Sequence, residues 1–500
     1  MSSVIISGDT SGSVILQAPA VAGSTTVTLP STSMNIGNGG GNVSSNTAFG
    51  SSALNANTTG INNSGIGYLA LQNNTTGSYN SAIGSNALLT NTTGSNNTAV
   101  GTGALQTNTA SNNTAVGFQA LVFNTTGTPN DAFGYQALYS NTTGVNNLAV
   151  GHTSLYTNTI GSQNIAIGTQ SLFSNTTGLY NIAVGFAPAY RNTTGFNNTY
   201  TGAFAGYNNV TGSGNSGFGY GALGADAGAA NSFSFCTGVG QGALGKLTTG
   251  SPNDAFGYLS LYNNTTGVNN VAVGYNALTA NTTGNNNTAI GYTAGAGITT
   301  GGANICIGQG AGFNTTALTT GLFNVVIGAG ARTSIAGAQS QIVIGYDIPG
   351  QGDNYFTFGK ASNVVYNQFS VNATWTRSSD ERLKKNIEDS ELGLDFINKL
   401  RTVKYNWKPS IEVPEELVNY HAEENRMDTE TTMHGFIAQE VKQALDEVGV
   451  DNFAGWHEQD DGVQGISYEM FVMPLVKAVK ELKAELDNVK TELATLKGAA

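Results

Sequence analysis

Charge is nearly missing from the first 360 residues of this 500-residue chain. That stretch holds six aspartates, four lysines or arginines and no glutamate, while the remaining 140 residues hold forty charged side chains, twenty-five of them acidic. Six widely spaced Asp offer no paired carboxylates, so cleavage of a polysaccharide by the first part is set aside. The net charge of −12 comes mostly from the C-terminal part and disfavours nucleic acid and anionic membrane surfaces as partners. No run of eighteen apolar residues occurs, so no membrane insertion is expected. The opening MSSVIISGDTSGSV has no basic n-region and no long apolar core, so no secretory signal is expected, and the many Asn-x-Ser/Thr triplets read as turns. Cysteine is scarce: Cys236 and Cys306 lie four repeats apart and are expected as buried free thiols. The two cysteines and four histidines (His152, His421, His434, His457) show no metal-ligand spacing, so no metal and no cofactor is implied.

What is there is a repeat. The unit N-T-A-V-G-x-x-A-L-x-x-N-T-T-G recurs, with clear copies NTAVGTGALQTNTA, DAFGYQALYSNTTG and VAVGYNALTANTTG. The glycine closing the apolar triplet falls first at Gly50 and last at Gly345, and fourteen of the seventeen gaps are seventeen residues; the others are sixteen, twenty-one and twenty. A low-charge Gly/Asn-rich tract would ordinarily suggest disorder. Random polar tracts do not place Val, Ile and Phe on a fixed period, however, and a short fixed period means a solenoid whose coils bury apolar surface against their neighbours.

Within one coil, N-T-A-V-G suits a short half-buried strand. The A-L pair gives a second apolar point, in a second strand or a corner. N-T-T-G closes the coil with residues that tolerate positive φ. Repeated Asn and Thr at equal heights can form side-chain ladders. Coils rising about 4.8 Å each give a stack on the order of 85 Å. One Val, Ile or Phe and one Leu per coil is too little to fill a wide interior, so three chains sharing an axis, an obligate homotrimer, are expected.

These units resemble the head repeats of trimeric autotransporter adhesins, which form β-rolls, and repeats of phage tail fibres, over residues 44–345. After Gly345 the period stops. Tyr355, Phe356, Phe358, Tyr366, Phe369 and Trp375 follow at strand-like spacing. They read as a β-structured tip over residues 346–378 that caps the open end of the stack. The same aromatics, Tyr355, Phe356, Phe358, Tyr366 and Trp375, are candidate contacts for a host receptor, with rings that could stack on sugars.

The charged part opens with Ser379-Asp380-Glu381-Arg382-Leu383-Lys384. Read plainly, Ser379 is a helix N-cap followed by acids in the first turn. Read chemically, a serine and a lysine sit five apart, and a desolvated lysine can act as base for a serine nucleophile. SDERLKKNI, then LRTVKYNWK, then HGFIAQEV, then ISY and a final amphipathic helix resemble the intramolecular chaperone of phage tailspikes and fibres, the peptidase S74 family, over about residues 378–500. The resemblance implies a domain that assembles a trimer and then releases itself by cutting before the motif serine. Ser379 would be the nucleophile, Lys384 its base (Lys385 fits the spacing less well), and Ser378–Ser379 the scissile bond. His434 and Glu440 fall in the HGFIAQEV segment, where structural support is expected.

Val472, Leu475, Val479, Leu482, Leu486, Val489, Leu493 and Leu496 are spaced 3, 4, 3, 4, 3, 4, 3. That is the seam of a short coiled coil over residues 471–497. Such a device is physically needed, because near-identical coils do not fix their own register. Residues 1–43 read as three short strands (VII, SVILQAP, TTVTLP); they resemble short modules at the head end of phage structural proteins, and that resemblance implies attachment to the particle.

The sequence thus implies a mainly β fold: a trimeric β-solenoid of about seventeen-residue repeats (44–345), a tip (346–378) and an α+β chaperone domain (379–500) ending in a trimeric coiled coil. The functional expectation is a virion tail fibre, assembled in the host cytoplasm. Its partners would be itself, a tail or baseplate protein at the N-terminus, and a host surface receptor such as a polysaccharide. A bacterial surface adhesin with a similar head, and a depolymerising tailspike, are the alternatives.

Overall fold

The computed structural model describes residues 3–7, 13–17, 36–226, 228, 230–361, 363–369, 376–377, 379–415, 417, 420–425, 427–459 and 462–498. The chain divides into two compact units, Met1–Ser378 and Ser379–Ala500. At the start, Ser3–Ser7 and Ser13–Gln17 pair antiparallel; the third strand expected at residues 25–30 lies outside the described residues.

The first unit is a solenoid. Among the described residues, eighteen short strands from Thr47–Phe49 to Ile342–Tyr346 each pair in parallel with the next, position on position. Each coil carries one strand and makes the rest of its circuit in turns, so the A-L point is a corner and not a second strand. The closing glycine is dictated by geometry. Gly151 has φ of 131°, and a Cβ there would lie 2.6 Å from the carbonyl carbon of Gly168 in the next coil. The leucine of each corner also sits at positive φ, 52° at Leu71 and 49° at Leu88, a conformation that costs roughly 1–2 kcal/mol for such a residue. Coil-to-coil hydrogen bonds offset it: Leu71 N–H donates to the Ala87 carbonyl at 3.0 Å, and Thr75 N–H to Thr92 at 2.8 Å.

The interior corrects one expectation. The middle alanine of the triplet points inward and is fully buried, as at Ala99, Ala132, Ala149 and Ala272, together with the corner pair such as Ala137 and Leu138. The Val, Ile or Phe that follows points outward; Ile83, Phe133, Ile167, Phe256 and Ile290 are among the exposed large apolar residues. With period-two alternation only one residue of a three-residue strand can face in, and in most coils that residue is the middle alanine. One chain therefore fills its own interior, and the reason first given for a trimer, an interior too wide for one chain, does not hold.

Asparagine completes that interior. Asn130, Asn147 and Asn164 are buried one above another. Asn147 Nδ2 donates to Asn130 Oδ1 at 3.1 Å and to the Gly161 carbonyl at 2.9 Å, while its Oδ1 accepts from Asn164 N–H at 3.1 Å. A second ladder climbs the other corner, with Asn141 to Asn124 at 2.8 Å and Asn158 to Asn141 at 2.9 Å. Buried amides are tolerated because their hydrogen bonds are met by the neighbouring coils. The second ladder falters in places: Asn91 Oδ1 has no partner next to the sixteen-residue coil, and Asn192 Oδ1 has none where Asn209 turns to bond Tyr200 instead.

The stack ends in a hairpin. Phe356 continues the parallel pairing from Ile342, then Tyr355–Lys360 and Asn363–Gln368 run antiparallel, and Val365 pairs with Arg377.

The second unit is small and α+β. Helix α1 (Leu394–Lys399), helix α2 (Ala438–Glu447) and the 3-10 turn Tyr468–Phe471 enclose a core of Leu392, Phe396, Val441, Ala444, Leu445 and Phe471. Val441, Ala444 and Leu445 share one face by their spacing, and Gly449 at φ 73° ends α2 with the left-handed residue such termini favour. Two antiparallel pairs flank the core, Val403–Tyr405 with Met433–Gly435 and Trp456–Glu458 with Gln464–Ile466. Helix α3 (Val472–Gly498) is 27 residues long. Among the described residues no helix is long and apolar enough to cross a membrane.

Candidate functional site

The Ser-Asp-Glu-Arg segment does not fold as an α-helix capped by Ser379. It forms a short 3-10 turn, Glu381–Leu383, and its cap is Asp380, whose carboxylate accepts the Arg382 N–H at 2.9 Å. The same carboxylate takes the Arg382 guanidinium, Nε at 3.0 Å, and that pairing holds the Asp380 carboxyl below the usual carboxylate range. With Asp380 serving as cap, the Ser379 hydroxyl is left for something else. The turn carries the chain around so that Lys384, in extended backbone just past it, reaches back: Lys384 Nζ donates to Ser379 Oγ at 2.8 Å.

Serine and lysine thus stand in direct contact, the relation that a Ser-Lys nucleophile and base require. Both side chains are exposed in the single chain, whereas a lysine becomes a base when it is stripped of water. Ser378, the residue on the other side of the expected scissile bond, lies outside the described residues.

His434 and Glu440 occupy other elements. His434 is on the Met433–Gly435 strand, opposite Lys404, and beside a cleft of about 560 Å3 lined also by Tyr468. Glu440 opens α2 and forms a forked ion pair with Arg401 just past α1, Arg401 Nε to Glu440 Oε2 at 3.0 Å. The guanidinium holds the Glu440 carboxyl low and ties the two helices. Three partners were not singled out individually in the sequence, although Arg401 and Tyr468 fall in its LRTVKYNWK and ISY segments. Arg401 is one. Tyr468 is another, its hydroxyl accepting the Phe436 N–H at 3.0 Å. Glu481 is the third: from α3 it accepts the Leu394 N–H at 2.6 Å, capping α1 across 87 residues.

The seam residues of α3 all stand open. Val472, Leu475, Val479, Leu482, Leu486, Val489, Leu493 and Leu496 are between 47% and 70% exposed, a row of apolar side chains that this chain does not cover. Of the tip aromatics, Tyr355 donates to Gln368 at 3.1 Å and packs near Tyr366, Phe356 lies near Phe358, and Phe358 is 40% exposed. Trp375 lies outside the described residues.

A Ser-Lys contact on a tight turn opens a small α+β domain, and a β-solenoid precedes that domain in the chain. Residues 379–450 match the peptidase S74 family, described as chaperone of endosialidase. A domain of this kind behind a long β-solenoid fits a phage tail fibre or tailspike with a C-terminal chaperone. Searches of the curated proteins and of the solved structures gave no match.

Proposed function

We propose that the chain is the subunit of a homotrimeric phage fibre that adsorbs to the host surface, and that its C-terminal domain aligns three chains and then cuts itself free between Ser378 and Ser379. The observation that carries this reading is the 2.8 Å contact between Lys384 Nζ and Ser379 Oγ.

The chemistry follows from the placement of the serine next to the bond. Neutral Lys384 takes the Ser379 hydroxyl proton, and Oγ attacks the carbonyl carbon of Ser378. The C–N bond breaks, the nitrogen of Ser379 takes a proton and leaves as an amine, and the acyl group rests on Oγ as an ester. Water then hydrolyses the ester to give a Ser378 carboxylate and the free hydroxyl. Three-fold assembly would cover a pair that the single chain leaves in water, so the cut follows assembly rather than preceding it. The open α3 seam supports association through a coiled coil. The outward column of Val, Ile and Phe along the solenoid sheet supports it over the shaft, since long apolar stripes mark interaction surfaces.

Three measurements test the reading. Sedimentation equilibrium of Ser379→Ala should give three times the subunit mass; a monomer would contradict assembly. Hydroxylamine added during maturation of the wild type should trap a Ser378 hydroxamate, and its absence from a cleaved sample would contradict the ester. Binding of fluorescent wild-type protein to a panel of bacterial isolates tests adsorption, and failure on all of them would contradict it.

A further inference from the structure

The residue after each closing glycine forms a column on the solenoid surface. Over three successive coils it is tyrosine, and the rings stack: Tyr258 on Tyr275 at 5.1 Å and 14°, and Tyr275 on Tyr292 at 5.2 Å and 11°. An inner ring of such a ladder has both faces covered by its neighbours, so it offers a ligand only its edge. The column then breaks. The next two coils place Gln309 and Ala329 there, and tyrosine returns only at Tyr346. Tyr292 is therefore covered by Tyr275 on one side and has no ring on the other, and it is 53% exposed; Tyr346 is 60% exposed. Between them lies a notch of about 390 Å3, lined also by Phe313, Asn314 and Asp347. Its floor is glycine: a Cβ on Gly310 would meet no atom within 4 Å.

We infer that this notch binds one end or a short internal stretch of a neutral oligosaccharide. Tyr292 and Tyr346 are three coils apart, about 14 Å at the spacing of paired strands, and the volume falls within the ~300–1,000 Å3 of small-molecule clefts. An aromatic face accepts the C–H face of a pyranose, and the planar amides of Gln309 and Asn314 offer both donors and acceptors to its hydroxyls. The one charge at the rim is already matched, because Arg332 Nη1 holds Asp347 Oδ1 at 2.8 Å, so a polyanion gains no unpaired cation there. A flat apolar partner fits less well, since half of the lining is polar and the floor is recessed. The inference deepens the host-adsorption reading and rests on it, naming a class of receptor and a place on the shaft distinct from the tip aromatics.

The test exploits the fold's own pattern. Gln309→Tyr extends a ladder that already accepts tyrosine at the three preceding coils, so the ring should stack on Tyr292 and fill the notch without disturbing the coil. Full-length wild type, Gln309→Tyr, Tyr346→Ala and the control Tyr68→Ala, a lone exposed ring between Ser51 and Ser85 in the same column, are applied to an array of neutral hexose and N-acetylhexosamine oligosaccharides. The strongest binder is then titrated calorimetrically. Wild type and Tyr68→Ala should bind alike, and Gln309→Tyr and Tyr346→Ala should each lose at least tenfold. Binding that survives both variants, or no binding to any sugar on the array, overturns the inference. Adsorption to cells, measured on the same four proteins, separates the two claims. Cell binding that persists in Gln309→Tyr leaves adsorption standing and removes the notch, whereas wild type that binds no cells removes adsorption itself.

Discussion

Tyr200 shows how closely single residues are fitted in the solenoid. It occupies the inward position that alanine holds in most coils and is 1% exposed. Two glycines make room for it. Gly206 stands where the corner leucine should be, and a Cβ there would lie 2.4 Å from the Tyr200 ring; Gly217 stands at the alanine position of the next coil, where a Cβ would lie 2.8 Å from the same ring. The phenol is met by Asn209 Nδ2 at 2.9 Å, and burial pushes its pKa well above the usual value. Gly217→Ala should therefore cost about 1–3 kcal/mol by overpacking, yet be neutral or stabilising in a Tyr200→Ala background. Urea unfolding of the two single variants and the double variant checks this as a thermodynamic cycle. The thiols offer a second check at this scale. Burial raises Cys236 to about 11 and Cys306 to about 12, so at pH 8 both remain as thiols, the unreactive form. Native protein should react negligibly with a disulfide reagent at that pH, and protein in guanidinium should release two equivalents. Fast reaction of the native state would mean that these coils open.

Among the elements, α3 and the strand column present the same problem, apolar residues that the chain itself leaves uncovered. In α3 the buried contacts come from Pro474 and Ala478 near its start, while the seam faces solvent. Placing Asp at Leu486 and Val489 together should abolish assembly and leave monomers in sedimentation, with reduced helix content by circular dichroism. Trimers that persist would locate assembly elsewhere. Much of this was legible in the sequence, because period and spacing are local properties: the strand triplets, the Asn-Gly corners, the heptad seam and the Ser-Lys spacing can all be read along the chain. Two kinds of feature were not legible. The direction of a three-residue strand depends on the bore of the coil, so the last Val or Ile of the triplet was assigned inward, whereas the middle residue, alanine in most coils, faces in. Contacts across long separations leave no local trace, as with Arg401 and Glu440, 39 residues apart, or Glu481 capping α1 from 87 residues away. Of the two readings of Ser379, the helix cap fails for a local reason: Asp380, one residue on, caps the turn and leaves the serine to Lys384.

For the whole molecule, uniformity is both the economy and the difficulty of the design. Seventeen-residue coils make a long stack from a short instruction, and stability in such an array comes from each coil and its neighbours. One asparagine ladder breaks in places, but most of the stack remains self-similar, so three chains could pair one coil out of step. On the proposed function, the α3 seam would supply a register outside the repeats, and the Ser379–Lys384 pair would supply a way to discard the device once the register is set. Removal would also make assembly irreversible: the mature shaft, lacking its aligning domain, should refold poorly after denaturation, with low recovery of trimers compared with Ser379→Ala.

The most direct measurement is the intact mass of purified wild-type protein beside Ser379→Ala and Lys384→Met. Wild type should resolve into one chain ending at Ser378 and a second beginning at Ser379, and both variants should remain at the full 51.4 kDa. A wild type that stays whole after trimers have formed, or a Ser379→Ala variant cut at the same bond, would contradict the central claim.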